Sequence, residues 1–123
     1  MKQIKFMMAV IFLATPMFAA AQAVERQPED NGKQLYTMLC TQCHGTEGDG
    51  RGLNAAHMSV QPRSHIDREE MSARTDEELF KVIEQGGKSI NKSVLMPAWS
   101  GNLDKAQIDA LIAYLRVLCC EDA

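Results

Sequence analysis

The sequence predicts an all-α fold of three main helices with short helical turns and long loops, and three observations carry that expectation. Apolar residues recur at helical spacing in three separate segments, and no stretch alternates as a half-buried strand would. Two of the segments open on an oxygen-bearing side chain followed three residues later by Glu or Gln, the pattern of a capping box. Between the first two segments lie roughly twenty residues of irregular, glycine-rich sequence, long for a compact domain unless the chain wraps a ligand.

The first residues read as a targeting segment. Lys2 and Lys5 precede an apolar stretch from Phe6, Thr15 and Pro16 interrupt it, and Ala21-Gln22-Ala23 forms an A-x-A cleavage pattern. That is the layout of a secretory signal peptide, here residues 1–23. The stretch is short for the ~20 apolar residues of a spanning helix, so the expectation is cleavage after Ala23 and no stable membrane insertion afterwards. Residues 24–30 are polar and form a flexible lead-in to one domain over 31–120.

In that domain Leu35, Met38 and Leu39, with Gly32 and Tyr36, predict a helix over 31–42, and Asp30 is its candidate cap. Gly45, Gly48, Gly50 and Gly52 lie in a turn-rich loop whose irregular character continues to about His65. Thr75 and Glu78 open the second helix, Leu79, Phe80, Val82 and Ile83 give it a buried stripe, and Gly86-Gly87 ends it. A loop through Met96-Pro97-Ala98-Trp99 follows. Asp104 and Gln107 open the last helix, in which Ile108, Leu111, Ile112, Leu115 and Leu118 keep the spacing.

Charge excludes one class of partner. Leaving out Lys2 and Lys5, 11 basic side chains stand against 16 acidic ones, a formal charge of −5. No basic patch or interleaved aromatic stripe points to nucleic acid. An acidic surface favours a partner protein with a basic docking face.

The chemistry resides in Cys40-Thr41-Gln42-Cys43-His44. On a helical turn the two thiols can add to the two vinyl groups of one porphyrin, while the adjacent imidazole reaches the iron from the same side. The pentad therefore reads as attachment of one haem c through Cys40 and Cys43, with His44 as axial ligand. A thioredoxin-like site would accompany a βαβ pattern, and a structural zinc site would want two ligand pairs. Cys119 and Cys120 are adjacent and lack that spacing.

A six-coordinate iron needs a second axial ligand. The candidates are Met58, Met71, Met96, His57 and His65, and Met96 is preferred. Pro97 stiffens the backbone behind it, and its loop lies between two helices, far along the chain from His44. Met58, Met71, His57 and His65 are read as packing or surface residues. Methionine opposite histidine raises a haem potential.

At this point the chain resembles class I cytochromes c of the bacterial periplasmic type. The resemblance rests on Gly32-x-x-Leu35-Tyr36 before the pentad and Gly45, on Met96-Pro97-Ala98-Trp99, and on Ala113-Tyr114-Leu115-Arg116. It implies a cytochrome c fold wrapped round one haem, in a periplasmic protein. It also implies that Gly32 and Tyr36 meet Tyr114 where the first and last helices cross. A proline carbonyl, here that of Pro62, would orient the His44 ring. Arg63 and Trp99 are candidate donors to a haem propionate. The vicinal Cys119-Cys120 pair departs from the family pattern, and a disulfide, a bond to another chain and free thiols all stay open.

The function so implied is single-electron transfer by an exported monohaem carrier. A haem-based small-ligand sensor and a dedicated electron-transfer subunit of a larger oxidoreductase are the alternatives. No acid–base pair or nucleophile stands beside the haem motif, so catalysis by this chain alone is not expected.

Overall fold

The computed structural model describes residues 27–121, and its regular elements are all helical, with no strand among those residues. The expected signal segment lies outside the described residues. Helix α1 spans Pro28–Leu39 and so starts before Asn31. Proline lacks the N–H that a first-turn residue leaves unpaired anyway, which makes Pro28 a good opening residue. The cap position falls on Gln27, not Asp30, and Asp30 lies in the first turn beside Glu29. There both carboxylates face the positive end of the helix dipole. The expected run to Gln42 breaks at Cys40 and resumes as a separate turn, α2 (Thr41–His44).

Helix α5 (Lys105–Cys120) is the central element, and α1, α3 and α4 all pack on it. Asp104 accepts from the Gln107 N–H, and the Gln107 side chain accepts from the Asp104 N–H, the reciprocal cap expected from the sequence. The crossing of α1 over α5 is close because Gly32 has no side chain. A Cβ there would fall 1.9 Å from the Ala110 carbonyl oxygen and 2.9 Å from the Tyr114 Cβ. One turn on, the Tyr36 and Tyr114 rings meet edge to face with centroids 5.3 Å apart. The contact implied by the family resemblance is thus present.

Helix α4 (Asp76–Gln85) carries the Thr75–Glu78 capping box and ends at Gly86, as the sequence indicates. Leu79 and Ile83 of α4 are buried with Leu111, Ile112 and Leu115 of α5. Each such side chain contributes on the order of 1.5–3 kcal/mol by leaving water. One short helix was not foreseen: α3 (Arg68–Ser72), capped by the Asp67 side chain accepting from the Glu70 N–H. Its five residues are too few for a periodic signal, yet it buries Met71 completely.

Arg116 locks α5 to the start of α4. Its Nη1 donates to the Met71 carbonyl at 2.8 Å and its Nη2 to the Arg74 carbonyl at 2.6 Å. Nε and Nη2 both reach Asp76 Oδ1, at 2.9 and 2.7 Å. The guanidinium thereby adds a donor to the Met71 carbonyl, which also accepts from the Arg74 N–H, and supplies one to the Arg74 carbonyl just past the end of α3. At the far end of α5, Cys119 and Cys120 are joined to each other as a vicinal disulfide. No described helix is long and apolar enough to cross a membrane.

Candidate haem site

The pentad is held by its own following loop. His44 N–H bonds the Cys40 carbonyl at 2.8 Å, closing the α2 turn. The carbonyls at the end of that turn would be orphans. Instead Asn54 N–H bonds the Gln42 carbonyl at 2.9 Å, Gly52 that of Cys43 at 3.0 Å, and Gly50 that of His44 at 2.8 Å. So tight a return needs glycine at two places. A Cβ on Gly52 would lie 2.4 Å from the Gln42 oxygen, and Gly50 sits at φ +79°, a conformation side chains disfavour.

The His44 ring is fixed from behind. Its Nδ1 lies 3.0 Å from the Arg63 carbonyl oxygen. An Nδ1–H donor there leaves Nε2 as the nitrogen with a lone pair, the tautomer a metal ligand requires. Burial lowers the His44 pKa, and the bond to Arg63 opposes that shift. The expected partner was the Pro62 carbonyl, so the assignment moves by one residue. The Pro62 oxygen is turned toward Gly50 instead, close enough that a Cβ on Gly50 would stand 2.7 Å from it. The register is set two residues on, where His65 N–H bonds the Gly48 carbonyl at 2.6 Å.

His65, read as a packing or surface residue, lies inside the site. Its ring stacks on His44 with centroids 4.2 Å apart and 17° between planes. Its Nδ1 lies 3.1 Å from the Tyr36 hydroxyl, which is also 3.3 Å from the Gly45 carbonyl. One hydroxyl proton serves only one of these acceptors; donation to Gly45 requires His65 Nδ1–H to donate to the phenol oxygen. Burial pushes the His65 pKa down to about 3, with His44 and Arg63 adding to the shift, so the ring is neutral. Burial also raises the Tyr36 phenol. Nothing in the local sequence marks His65, because its partners meet it only through space.

Across from this loop, α4 and the segment after it close a cavity of about 560 Å³. Cys40, Cys43 and His44 line it together with Met96 and Trp99. The segment carrying Met96 is bolted to the C-terminus of α4. Trp99 N–H bonds the Ile83 carbonyl and Ser100 N–H that of Glu84, each at 3.1 Å, and Gly87 N–H bonds the Met96 carbonyl at 3.0 Å. The backbones approach so closely that a Cβ on Gly86 would stand 2.8 Å from the Ala98 nitrogen.

Of the other ligand candidates, His57 is exposed and does not line the cavity. Met58 and Met71 do line it. Met71 is wholly buried in the core, with 0% of its surface exposed. Met58 belongs to the loop on the His44 side, following a 3₁₀ turn (Ala55–His57) that packs against α2. His65, stacked on His44, is on that side too. Arg63 reaches the cavity, but its guanidinium is paired with Glu70, which also binds Arg74.

The donor set fits a covalent haem. Cys40 and Cys43 are free thiols on the wall of one cavity, and burial pushes the Cys40 thiol up to about 12. A neutral imidazole stands beside them, and Leu79, Val82, Ile83, Leu111 and Leu115 supply an apolar wall. Among the described residues no cluster of three His, Cys, Asp or Glu side chains suits a bare metal ion.

Comparison with known proteins agrees. Residues 27–115 match the family model described as cytochrome c oxidase, cbb3-type, subunit III. A chain of the Kuenenia stuttgartiensis reducing HAO-like protein complex Kustc0457/Kustc0458 is similar in structure, with a TM-score of 0.60 and 27% identity over 78% of this chain. That match spans 46% of the other chain, so this protein covers just under half of its length. The KustC0563 c-type cytochrome shares the fold, with a TM-score of 0.59 and 24% identity over 72% of this chain and 96% of that one. No curated protein gives a significant match. With an all-helical fold, a C-x-x-C-H turn on the wall of an apolar cavity and a family match over most of its length, the chain belongs to the cbb3-type subunit III cytochrome family and is a monohaem, class I-like c-type cytochrome with covalently bound haem c.

Proposed function

We propose that this protein is a periplasmic single-electron carrier whose haem has His44 and Met96 as axial ligands. The observation that supports it best is the shared cavity: His44 enters from the loop side and Met96 from the α4 side. When bound, the haem supplies a one-electron iron couple. The chain's own residues set its surroundings. Cys40 and Cys43 anchor it by thioether bonds, and the Arg63 carbonyl holds His44 in the ligating tautomer. The aliphatic wall excludes water, which together with a thioether ligand favours a high potential. Arg63 and Trp99 are the proposed propionate donors, Arg63 by leaving or sharing Glu70. Pro62 keeps only a packing role beside Gly50.

The test is absorption spectroscopy of matured holoprotein. Wild type is expected to be low-spin with a far-red sulfur-to-iron band, which Met96→Ala abolishes and Met58→Ala leaves in place. Survival of the band in Met96→Ala would refute the assignment. A second reading, a fixed electron-transfer subunit of a larger oxidoreductase, is favoured by the family's description as an oxidase subunit and by a neighbour taken from a complex. Co-purification of a stoichiometric partner from native membranes or periplasm would select it over a free shuttle.

A further inference from the structure

Two of the four cysteines are spent on the haem, and the other two, Cys119 and Cys120, are bonded to each other at the C-terminus of α5. Neither lines the haem cavity. A staple is the ordinary role of a disulfide, and this one does not fill it. A disulfide stabilises by closing a loop in the unfolded chain, more so the longer the loop. Here the bonded residues are neighbours, so the bond closes no loop beyond its own ring and joins no two elements. What it offers instead is chemistry.

The two sulfurs have different surroundings. Cys119 is 5% exposed and belongs to the core cluster of α5 and its neighbours. Cys120 is the last residue of α5 and is part-exposed, just before Glu121, where the chain leaves the helix. An external thiolate therefore meets Cys120 first, and the buried Cys119 becomes the leaving sulfur. Each sulfur also has a partner for its reduced form. Cys119 Sγ lies 3.7 Å from the Arg116 carbonyl oxygen, an acceptor for a thiol S–H. Cys120 Sγ lies 3.7 Å from Ser72 Oγ at the end of α3, a hydroxyl that can donate to a thiolate. Both oxidation states thus find hydrogen-bonding groups at the same end of α5.

We propose that Cys119–Cys120 is a second redox site of this protein, a thiol–disulfide exchange centre for an external dithiol. The dithiol's thiolate attacks Cys120 Sγ, the S–S bond breaks, and Cys119 leaves as a thiolate and takes up a proton. The reagent's second thiol then attacks the reagent's own bound sulfur. That step releases the Cys120 thiolate, which is protonated in turn. Two electrons and two protons pass from the dithiol, which becomes a disulfide, to the cysteine pair. The haem exchanges one electron at a time, so this couple is separate from the iron couple in electron count as well as in place. The inference needs only the thioether attachment of the haem, and no axial assignment enters it.

The test uses native holoprotein, in which thioether formation leaves Cys119 and Cys120 as the cysteines available to N-ethylmaleimide. Protein as isolated, labelled after unfolding, should gain no maleimide. Held folded in dithiothreitol buffers and then trapped with excess maleimide, it should gain two per chain by mass, one on each cysteine of the pair. Half reduction should be reached while oxidised dithiothreitol still exceeds the reduced form, as for an exposed, exchangeable disulfide. The visible spectrum of each sample counts electrons that reach the haem and shows that the fold is kept. Label gained before any reductant, a pair that opens only on unfolding, or one that needs reduced dithiothreitol in excess overturns the proposal. A disulfide-linked dimer on a non-reducing gel overturns it too. Single variants test the order of attack. Cys119→Ser, which leaves the Cys120 thiol, should react with dithiobis(nitrobenzoate) at least about tenfold faster than Cys120→Ser, which leaves that of Cys119. Equal rates or the reverse order overturn the assignment of Cys120 as the attacked sulfur.

Discussion

The two walls of the haem cavity are built in different ways. On the His44 side, a loop of consecutive residues folds back on the pentad and answers the carbonyls of Gln42, Cys43 and His44 one after another. On the Met96 side, a shorter and more exposed segment hangs from the end of α4 by the bonds of Gly87, Trp99 and Ser100. The first wall is self-contained. The second inherits its position from a helix, and between its attachments the side chains of Val94 and Leu95 are exposed. Local opening should therefore begin on the second wall, because it has fewer buried contacts to lose.

The contrast can be broken hardest on the rigid side. Gly52→Ala forces a Cβ into the Thr41 and Gln42 carbonyls, 2.5 and 2.4 Å away. Overpacking against backbone with no room to yield should cost about 3 kcal/mol or more, read by denaturant unfolding of the holoprotein. Gly101→Ala, in the other wall's tail where nothing lies within 4 Å, is the matched control and should be neutral within about 0.5 kcal/mol. An equal loss in both variants would mean that the glycine loop is not the tighter wall.

Removing the guanidinium of Arg116 strikes the frame common to both walls. Arg116→Met removes a donor from the Met71 and Arg74 carbonyls and the ion pair with Asp76, and should cost about 2 kcal/mol, a fall in Tm of roughly 10 °C for a domain of this size. Both walls should loosen together, so the far-red band and the helical signal should fall at the same temperature. Gly87→Ala sharpens the difference instead. Its Cβ would meet the Ser93 carbonyl at 2.3 Å, so it should strain the Met96 segment by about 1–3 kcal/mol. The far-red band should then bleach well below the global transition, whereas coincident loss would deny any independent opening of this wall. The smallest effect is at the root of α4: Thr75→Ala removes the cap bonded to Glu78 N–H and should cost about 1 kcal/mol in global unfolding.

The same contrast explains what could be read from the chain alone. Signals that act within a few residues were legible: the pentad, the Thr75 and Asp104 caps, the Gly86 stop. The start of α1 was misplaced because Asp30 is a good cap by type, while Pro28 opened the helix earlier. The carbonyl behind His44 was misassigned by one residue because loop length, not composition, sets which oxygen arrives there. His65 was read only as a packing or surface residue because its stack on His44 and its contact with Tyr36 join segments 21 and 29 residues apart.

The Gly32 crossing has a consequence for the order in which the fold can form. It joins Gly32 to Ala110, so its formation closes a chain segment of roughly 80 residues, an entropic cost of about 4 kcal/mol that no local contact offsets in advance. Both cavity walls lie inside that segment. Until residues 105–120 are available to meet α1, the thiols of Cys40 and Cys43 sit on a chain whose ends are unjoined. A chain stopped before Lys105 would keep the whole attachment motif and Met96, yet lack the helix against which α1, α3 and α4 all pack.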